Sequence, residues 1–229
     1  MNLTIRSALL LTFVFVMAHL VSIVVGGLYK DLTGYIVNAN FLAAIVLNIV
    51  IVLGIFNLSK LENFIIAEYD IKSVKNILKN GFSYFALILI SAVAVGFISK
   101  FILEDVLNIT PELQPAVQLL LDASSFNTYL LAALAVGVFA PIGEELLFRA
   151  VLFTSFKSKM RTSVAMIISS FIFALVHISL ANFAALFVVG LLFCIAYEKC
   201  RDIRVPMIAH SLFNFFNFFF ILFFEKSDF

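Results

Sequence analysis

The chain's dominant feature is a succession of apolar runs that are each long enough to cross a lipid bilayer as a helix. A spanning helix needs roughly 20 predominantly apolar residues. Of the 229 residues, 63% are hydrophobic and 13% are charged, whereas soluble domains are about 45–50% apolar and about 25% charged. A single soluble core could not bury so much apolar surface. The sequence therefore predicts an all-α fold, a polytopic transmembrane helix bundle.

We predict about seven spans, with a range of six to eight, because each run could gain or lose a turn and a break could divide one. The run nearest the N-terminus has no clear small-residue cleavage site, so we interpret it as a retained helix rather than a signal peptide. The fifth and sixth runs almost touch in sequence, which predicts a tight hairpin. The predicted spans are Ser7–Tyr29, Phe41–Leu58, Gly81–Leu103, Thr128–Phe156, Thr162–Leu180, Asn182–Tyr197 and Arg204–Phe224.

The basic residues between the runs predict the orientation. If Arg6 is cytoplasmic, most lysines and arginines fall on the cytoplasmic side, and Lys30, Lys100 and Lys226 fall outside. Cytoplasmic loops carry the excess of basic residues, so we predict a cytoplasmic N-terminus and an outer C-terminus. The richness in Ile, Phe, Asn and Lys is typical of an AT-rich bacterial genome, so we predict a bacterial cell membrane. The net charge of +1 argues against a nucleic-acid partner.

Two longer connections and the polar residues predict how the chain divides. Residues 1–126 hold spans one to three, with an amphipathic cytoplasmic helix in Ser59–Asn80 and an acidic outer loop in Leu103–Asn127. Residues 127–229 hold spans four to seven. The cysteines, Cys194 and Cys200, have no metal-site or disulfide spacing, so we predict free thiols.

Polar residues at membrane depth are concentrated in three of the late spans. Ionisable side chains inside a bilayer cost a few kcal/mol or more each and mark functional sites by default. Span four, span five and span seven each carry such a group. The polar residues are Glu144, Glu145 and Arg149 in span four, His177 in span five, and His210 and Asn214 in span seven.

Helical spacing relates these residues to one another. Glu145 and Arg149 are four apart, so they share a face and can pair. Glu144 points about a quarter turn away and needs a partner on another helix. Pro141 removes a backbone donor, which predicts a loosened helix just before the acids. The same four-residue spacing relates Phe173 to His177 and His210 to Asn214.

Glu-Glu-x-x-x-Arg, Phe-x-x-x-His and His-x-x-x-Asn, in this order on three separate helices, resemble the motifs of the CPBP family. These are the CAAX protease and bacteriocin-processing (Abi) intramembrane proteases. The resemblance covers roughly residues 130–220 and includes all three motifs. It implies that residues 127–229 form the catalytic core of an intramembrane endopeptidase.

The resemblance also implies roles for the motif residues. Glu144 with His177 would hold and deprotonate a water molecule, and His210 with Asn214 would donate hydrogen bonds to the oxyanion. Supporting roles would fall to Glu145, Arg149 and Phe173.

A zinc site with Glu144, His177 and His210 as ligands is the alternative for the same residues. Catalytic zinc typically has three protein ligands and a water, and family members are described both as metalloproteases and as metal-free enzymes. We favour the metal-free reading, with no cofactor.

The predicted substrate is a membrane-associated peptide or protein. Because bacteria generally do not prenylate proteins in the CAAX manner, we favour processing of a bacteriocin or signalling peptide, or self-immunity. One alternative is a non-catalytic membrane partner, such as a bacteriocin-immunity protein or a sensor-kinase regulator. A proton-relaying transporter ranks last, because we find no inverted repeat.

Overall fold

The structure is a computed structural model that describes residues 5–62, 73–110 and 114–225. In this part of the chain the regular structure is helical, with α-helices interrupted or extended by short π-helical stretches, and it contains no β-strand. The α-helices are α1 (Ile5–Thr33), α2 (Ile36–Glu62), α3 (Val74–Phe101), α4 (Pro115–Leu121), α5 (Phe126–Leu134), α6 (Ala140–Glu145), α7 (Thr154–Lys157), α8 (Thr162–Leu175), α9 (Phe183–Cys200) and α10 (Arg204–Phe220). The π-helical stretches are Ile102–Val106, Ala135–Phe139, Leu146–Phe153 and Ile221–Glu225.

Five helical runs within the described residues are long and apolar enough to cross a membrane. They are Ile36–Lys60, Val74–Val106, Phe126–Lys157, Phe183–Cys200 and Arg204–Phe224. The predicted first span lies within α1, which is 29 residues long, and the fifth corresponds to the shorter apolar helix α8. The predicted all-α polytopic fold is confirmed, and the chain is an integral membrane protein.

The third span starts earlier than the sequence predicts. Helix α3 begins at Val74 rather than Gly81, because the side chain of Ser73 accepts a hydrogen bond from the backbone N–H of Asn76 and caps the helix. The predicted amphipathic helix in Ser59–Asn80 therefore overlaps the end of α2 and the start of α3. Its middle, residues 63–72, lies outside the described residues, so that helix stays a prediction.

The fifth helix ends earlier than predicted. Helix α8 stops at Leu175, so the expected span to Leu180 is wrong. The predicted hairpin of α8 and α9 forms, but residues 176–182 make a longer connection than the sequence predicts. The backbone N–H of Ile178 bonds to the carbonyl of Leu175, three residues back, and Ile178 has a φ of 46°. A left-handed residue ends the helix although the apolar run continues.

The chain divides into two compact units that interleave along the sequence. The first unit comprises Met1–Ile66, Pro115–Leu147 and Asn214–Phe229, and the second comprises Ala67–Gln114 and Phe148–Phe213. The predicted division into residues 1–126 and 127–229 follows the motifs rather than compactness, and it stays a prediction.

In the first unit, Phe41 and Ile45 of α2 pack with residues of α4, α5 and the last turn of α10. The buried cluster comprises Phe41, Ile45, Leu120, Ala132, Ala135 and Phe218. A polar contact reinforces it, because the Thr128 hydroxyl donates to Asn38 Oδ1 over 2.6 Å. Hydrogen bonds between helices are a recognised source of cohesion in lipid, where apolar contact alone discriminates little.

In the second unit, α9 is the central helix. Ala196 and Cys200 of α9 form a buried cluster with Ile77 of α3 and Val205 of α10. On the α8 side, a Cβ added at Gly190 would lie 3.1 Å from Ser170 Cβ, so the glycine permits close approach of α8 and α9. Both cysteines are buried and free, as predicted.

Candidate active site

The two acids of the first motif lie at the end of the short helix α6, which has π-helical stretches on both sides. Pro141 occupies the first turn of α6, and the stretch Ala135–Phe139 immediately precedes it. The loosening expected from the proline therefore takes the form of wider, π-helical turns, which occur often at functional sites. Glu145 is completely buried. Glu144 is half-buried, with its Oε2 atom shielded from solvent.

The residue before the acids, Gly143, leaves room for a polar side chain that the motifs do not include. A Cβ added at Gly143 would lie 3.0 Å from Asn48 Cγ and closer still to Asn48 Oδ1. Asn48 belongs to α2, is 7% exposed, and donates through Nδ2 to the carbonyl of Ala44 over 3.0 Å. Sequence reasoning missed Asn48, although an asparagine within the apolar run Phe41–Leu58 was a visible signal.

Asn214 also belongs to the first unit, where it contacts the π-helical stretch Ala135–Phe139 that precedes α6. Its Nδ2 donates to the carbonyl of Val136 over 2.8 Å. That bond orients the amide, because a carbonyl can only accept, so Nδ2 faces Val136. The amide nitrogen carries a second N–H, which remains the group that could serve an oxyanion.

Arg149 lies in the second unit, completely buried among three phenylalanine rings. Its Cζ is 4.5 Å from the ring centroid of Phe173, 4.9 Å from that of Phe193 and 5.9 Å from that of Phe148. Its Nη2 donates to the carbonyl of Gly190 over 3.2 Å. Ring faces carry negative electrostatic potential and attract a guanidinium, more strongly where water is excluded. The aromatic enclosure thus stabilises a charge that lipid alone would not.

His177 lies just beyond the end of α8, so the expectation that it shares a helix face with Phe173 is wrong. The two side chains are nevertheless in contact, with their ring centroids 4.7 Å apart. His177 Nδ1 is 2.7 Å from the Phe173 carbonyl. Because a carbonyl only accepts, Nδ1 carries the proton, and Nε2 is the nitrogen of the neutral ring that can accept one.

His210 lies on α10 and is 4% exposed. Its ring stacks on Phe193, with centroids 4.6 Å apart and planes at 28°, and meets Phe173 edge-on with centroids 6.1 Å apart. The second unit therefore gathers three of the predicted residues around the ring of a fourth, because Arg149, His177 and His210 all contact Phe173. Phe193 joins them and belongs to none of the motifs.

The zinc alternative needs three suitable ligands in one place. Among the described residues, no group of three His, Cys, Asp or Glu side chains is arranged to hold a metal ion. The zinc alternative with Glu144, His177 and His210 stays a prediction, because Glu144 belongs to the first unit and both histidines belong to the second. The metal-free reading stays a prediction.

Comparison with known families covers the part of the chain that holds these motif residues. Residues 126–216 match the family model of the Rce1-like type II CAAX prenyl endopeptidases. The chain carries an Rce1-like segment. The family resemblance expected from the three motifs is confirmed, since every motif residue from Glu144 to Asn214 lies inside this segment. Asn48 lies outside it.

Two curated relatives match the chain over part of its length. An Escherichia coli protein named "Uncharacterized 24.3 kDa protein" is 28% identical over 127 residues, which is 53% of this chain and 58% of the relative. "Putative membrane peptidase YdiL" of Bacillus subtilis is 34% identical over 77 residues, which is 34% of this chain and 32% of the relative. The chain thus spans less than two thirds of either relative. No solved structure matches it.

Proposed function

We propose that the chain is an intramembrane endopeptidase that hydrolyses a peptide bond of a membrane-associated peptide or protein. The observation that carries this proposal is that one Rce1-like segment, residues 126–216, contains all three motifs intact and in order. The name of the Bacillus subtilis relative supports the same class. The apolar helices of the chain match a substrate that reaches the enzyme within or beside the bilayer.

In the proposed reaction, Glu144 acts as general base. It takes a proton from a water molecule while the water oxygen forms a bond to the substrate carbonyl carbon. Residues that transfer protons in the transition state typically contribute about 10²–10⁴-fold to the rate. The tautomer of His177 supports its role as the second group that holds this water. Its Nδ1–H donates to the Phe173 carbonyl, so Nε2 can accept a hydrogen bond from the water.

The carbonyl electron pair moves onto oxygen and forms an oxyanion, which His210 and Asn214 stabilise as hydrogen-bond donors. Donors that are already oriented are worth most, because they need no reorganisation when the charge develops. The bond from Asn214 to the Val136 carbonyl and the stacking of His210 on Phe193 support such preorganisation. When the intermediate collapses, the C–N bond breaks and Glu144 returns its proton to the leaving amine.

Glu145, Arg149 and Phe173 have supporting roles in this proposal. Arg149 and Phe173 belong to the aromatic cluster that contacts both histidines, so they hold the catalytic groups rather than react. Glu145, completely buried beside Glu144, holds the end of α6.

We further propose that the substrate is a bacteriocin or signalling peptide, or the target of a self-immunity function, in a bacterial cell membrane with the N-terminus inside. Cells producing the wild-type protein, Glu144→Gln or His177→Ala would be compared by mass spectrometry of secreted and membrane peptides. We expect at least one cleavage product to be lost in both variants while the proteins accumulate normally. Identical peptides in all three strains would contradict the proposal and favour a non-catalytic membrane partner.

No step of this proposal runs through zinc. We expect product formation to survive strong zinc chelation. Complete loss that added zinc restores would contradict the metal-free mechanism and leave the endopeptidase assignment intact.

The proposed orientation has a separate test, because Cys194 and Cys200 are buried and react slowly with soluble thiol reagents. A cysteine placed at Lys199 should be labelled only after the membrane is opened, and one at Lys100 should be labelled in intact cells. The reverse pattern would contradict the proposed topology.

A further inference from the structure

Phe193 is the aromatic residue of the second unit that no motif includes and that has the closest ring contact with His210. It lies in α9 and is completely buried. Its ring stacks on His210 with centroids 4.6 Å apart, lies 4.9 Å from the Arg149 guanidinium carbon and meets Phe173 edge-on at 6.4 Å. A motif residue of span four, one of span five and one of span seven therefore all contact a single ring.

Stacking constrains the property of His210 that matters for an oxyanion donor. The N–H groups of an imidazole lie in the plane of its ring, so the ring plane decides where a donated hydrogen bond can point. The planes of His210 and Phe193 differ by 28°. Rotation of His210 about its χ2 angle would bring its edge into the face of Phe193, and the tightly packed surroundings leave little room for that.

Phe193 is itself held by groups on its own helix and on its neighbours. Gly190, one turn earlier on the same face of α9, accepts the hydrogen bond from Arg149 Nη2. A Cβ at Gly190 would lie 3.2 Å from Phe173 Cδ1, so a larger residue there would push Phe173 away. The pair Gly190 and Phe193 thus fixes both the arginine and the stacked histidine.

We propose that Phe193 is a positioning residue that sets the ring plane of His210 so that its N–H points at the developing oxyanion. The expected effect on kcat rests on the proposed endopeptidase function. The expected effect on the orientation of the His210 ring rests on the stacking geometry alone. It also gives the buried Arg149 a specific task, which is to hold the ring that orients His210.

The test replaces the ring while keeping the position apolar, with Phe193→Leu and Phe193→Met as two independent variants. Phe153→Leu is the matched control, because Phe153 is 1% exposed, lies in the same unit, and packs edge-on against Tyr197. The chain has three histidines, so the imidazole C–H resonances of His210 can be assigned by NMR in nanodiscs with a His210→Gln variant.

We expect the His210 resonances to move downfield in both Phe193 variants, because the ring current of a stacked phenylalanine is lost, and to stay in place in Phe153→Leu. For the peptide whose cleavage depends on Glu144, we expect kcat to fall roughly tenfold with KM unchanged. This is less than the ~10²–10³-fold loss that follows removal of an oxyanion donor.

The inference is overturned if the His210 resonances move no more in the Phe193 variants than in the control, or if kcat falls equally in both. A variant that fails to accumulate leaves the other to decide. Failure of the proposed function would look different, because Glu144→Gln would then leave every peptide unchanged while the NMR comparison still reported on the stacking.

Discussion

The two compact units stabilise their buried polar groups in different ways. In the second unit, Arg149 and His210 are surrounded by phenylalanine rings, with Arg149 Cζ within 5 Å of two ring centroids. In the first unit, two buried or half-buried asparagines, Asn48 and Asn214, lie beside backbone groups instead. Asn214 donates to the Val136 carbonyl, and Asn48 packs against Gly143.

Electrostatics explains why the two environments are not interchangeable. Aromatic faces are negative and attract cations, so a ring cluster suits an arginine or an imidazolium. The same faces would repel a carboxylate. The acids instead follow a glycine, where the lack of a side chain lets an amide approach the helix that carries them. Aromatic surroundings therefore suit the buried cation of the second unit, and the first unit instead brings a neutral amide against its helix.

Breaking the aromatic cluster should produce the largest loss of stability. Arg149→Ala would leave a cavity among three rings, and large-to-small changes at buried positions cost about 2–5 kcal/mol. Arg149→Lys keeps the charge but loses the planar fork that bonds to Gly190, so we expect a smaller loss of about 1–2 kcal/mol. Unfolding free energies measured in bicelles would check both. Equal losses for Ala and Lys would show that the positive charge that lysine keeps adds no stability among the rings, and would contradict this account.

Closing the gap at Gly143 should have an intermediate effect. Gly143→Ala would place a Cβ against Asn48, and overpacking typically costs about 1–3 kcal/mol. Adding Asn48→Ala should recover most of that loss, since residues in contact show non-additive effects.

Gly96→Ala is the matched control for Gly143→Ala, because nothing lies within 4 Å of a Cβ at Gly96. It should be neutral or slightly stabilising, as alanine favours a helix over glycine. If Gly143→Ala behaved like Gly96→Ala, the close approach of Asn48 would be refuted.

Removing an ion pair outside the aromatic cluster should have the smallest effect. Lys157 donates to both carboxylate oxygens of Glu198, at 2.6 and 2.7 Å, but the side chains are 35% and 28% exposed. Exposed pairs are worth about 0–1 kcal/mol, so Lys157→Met should lower the unfolding free energy by less than Arg149→Lys does. If Lys157→Met lowered the unfolding free energy as much as Arg149→Ala does, the loss of a charge alone would account for both effects, and the rings around Arg149 would contribute nothing.

The helical fold and the membrane class were predictable because both follow from local properties, the length and apolarity of each run. The motif residues were predictable from their spacing and family resemblance. The end of α8 was not, because Ile178 and Leu180 continue an apolar run after the chain has left the helix. His177 therefore lies in a turn, although its spacing from Phe173 is that of a helix face.

The neighbours of the motif residues were also beyond sequence reasoning. Phe193 is one of 28 phenylalanines, and only the packing of α8, α9 and α10 distinguishes it from those that face lipid. Asn48 was visible as a polar residue in an apolar run, but its proximity to Gly143 depends on tertiary contact between α2 and α6. Likewise, the π-helical stretches around α6 depend on more than the position of Pro141.

The most direct test of the central claim is cleavage by purified protein reconstituted in liposomes, with the peptide identified by comparing the wild-type and Glu144→Gln strains. Glu104→Gln is the matched control, since Glu104 is 37% exposed in its pair with Lys100. Mass spectrometry should detect both fragments with the wild-type protein and with Glu104→Gln, and formation should be roughly 10²–10⁴-fold slower with Glu144→Gln. Equal rates for Glu144→Gln and the wild-type protein would contradict a glutamate-activated water at this position.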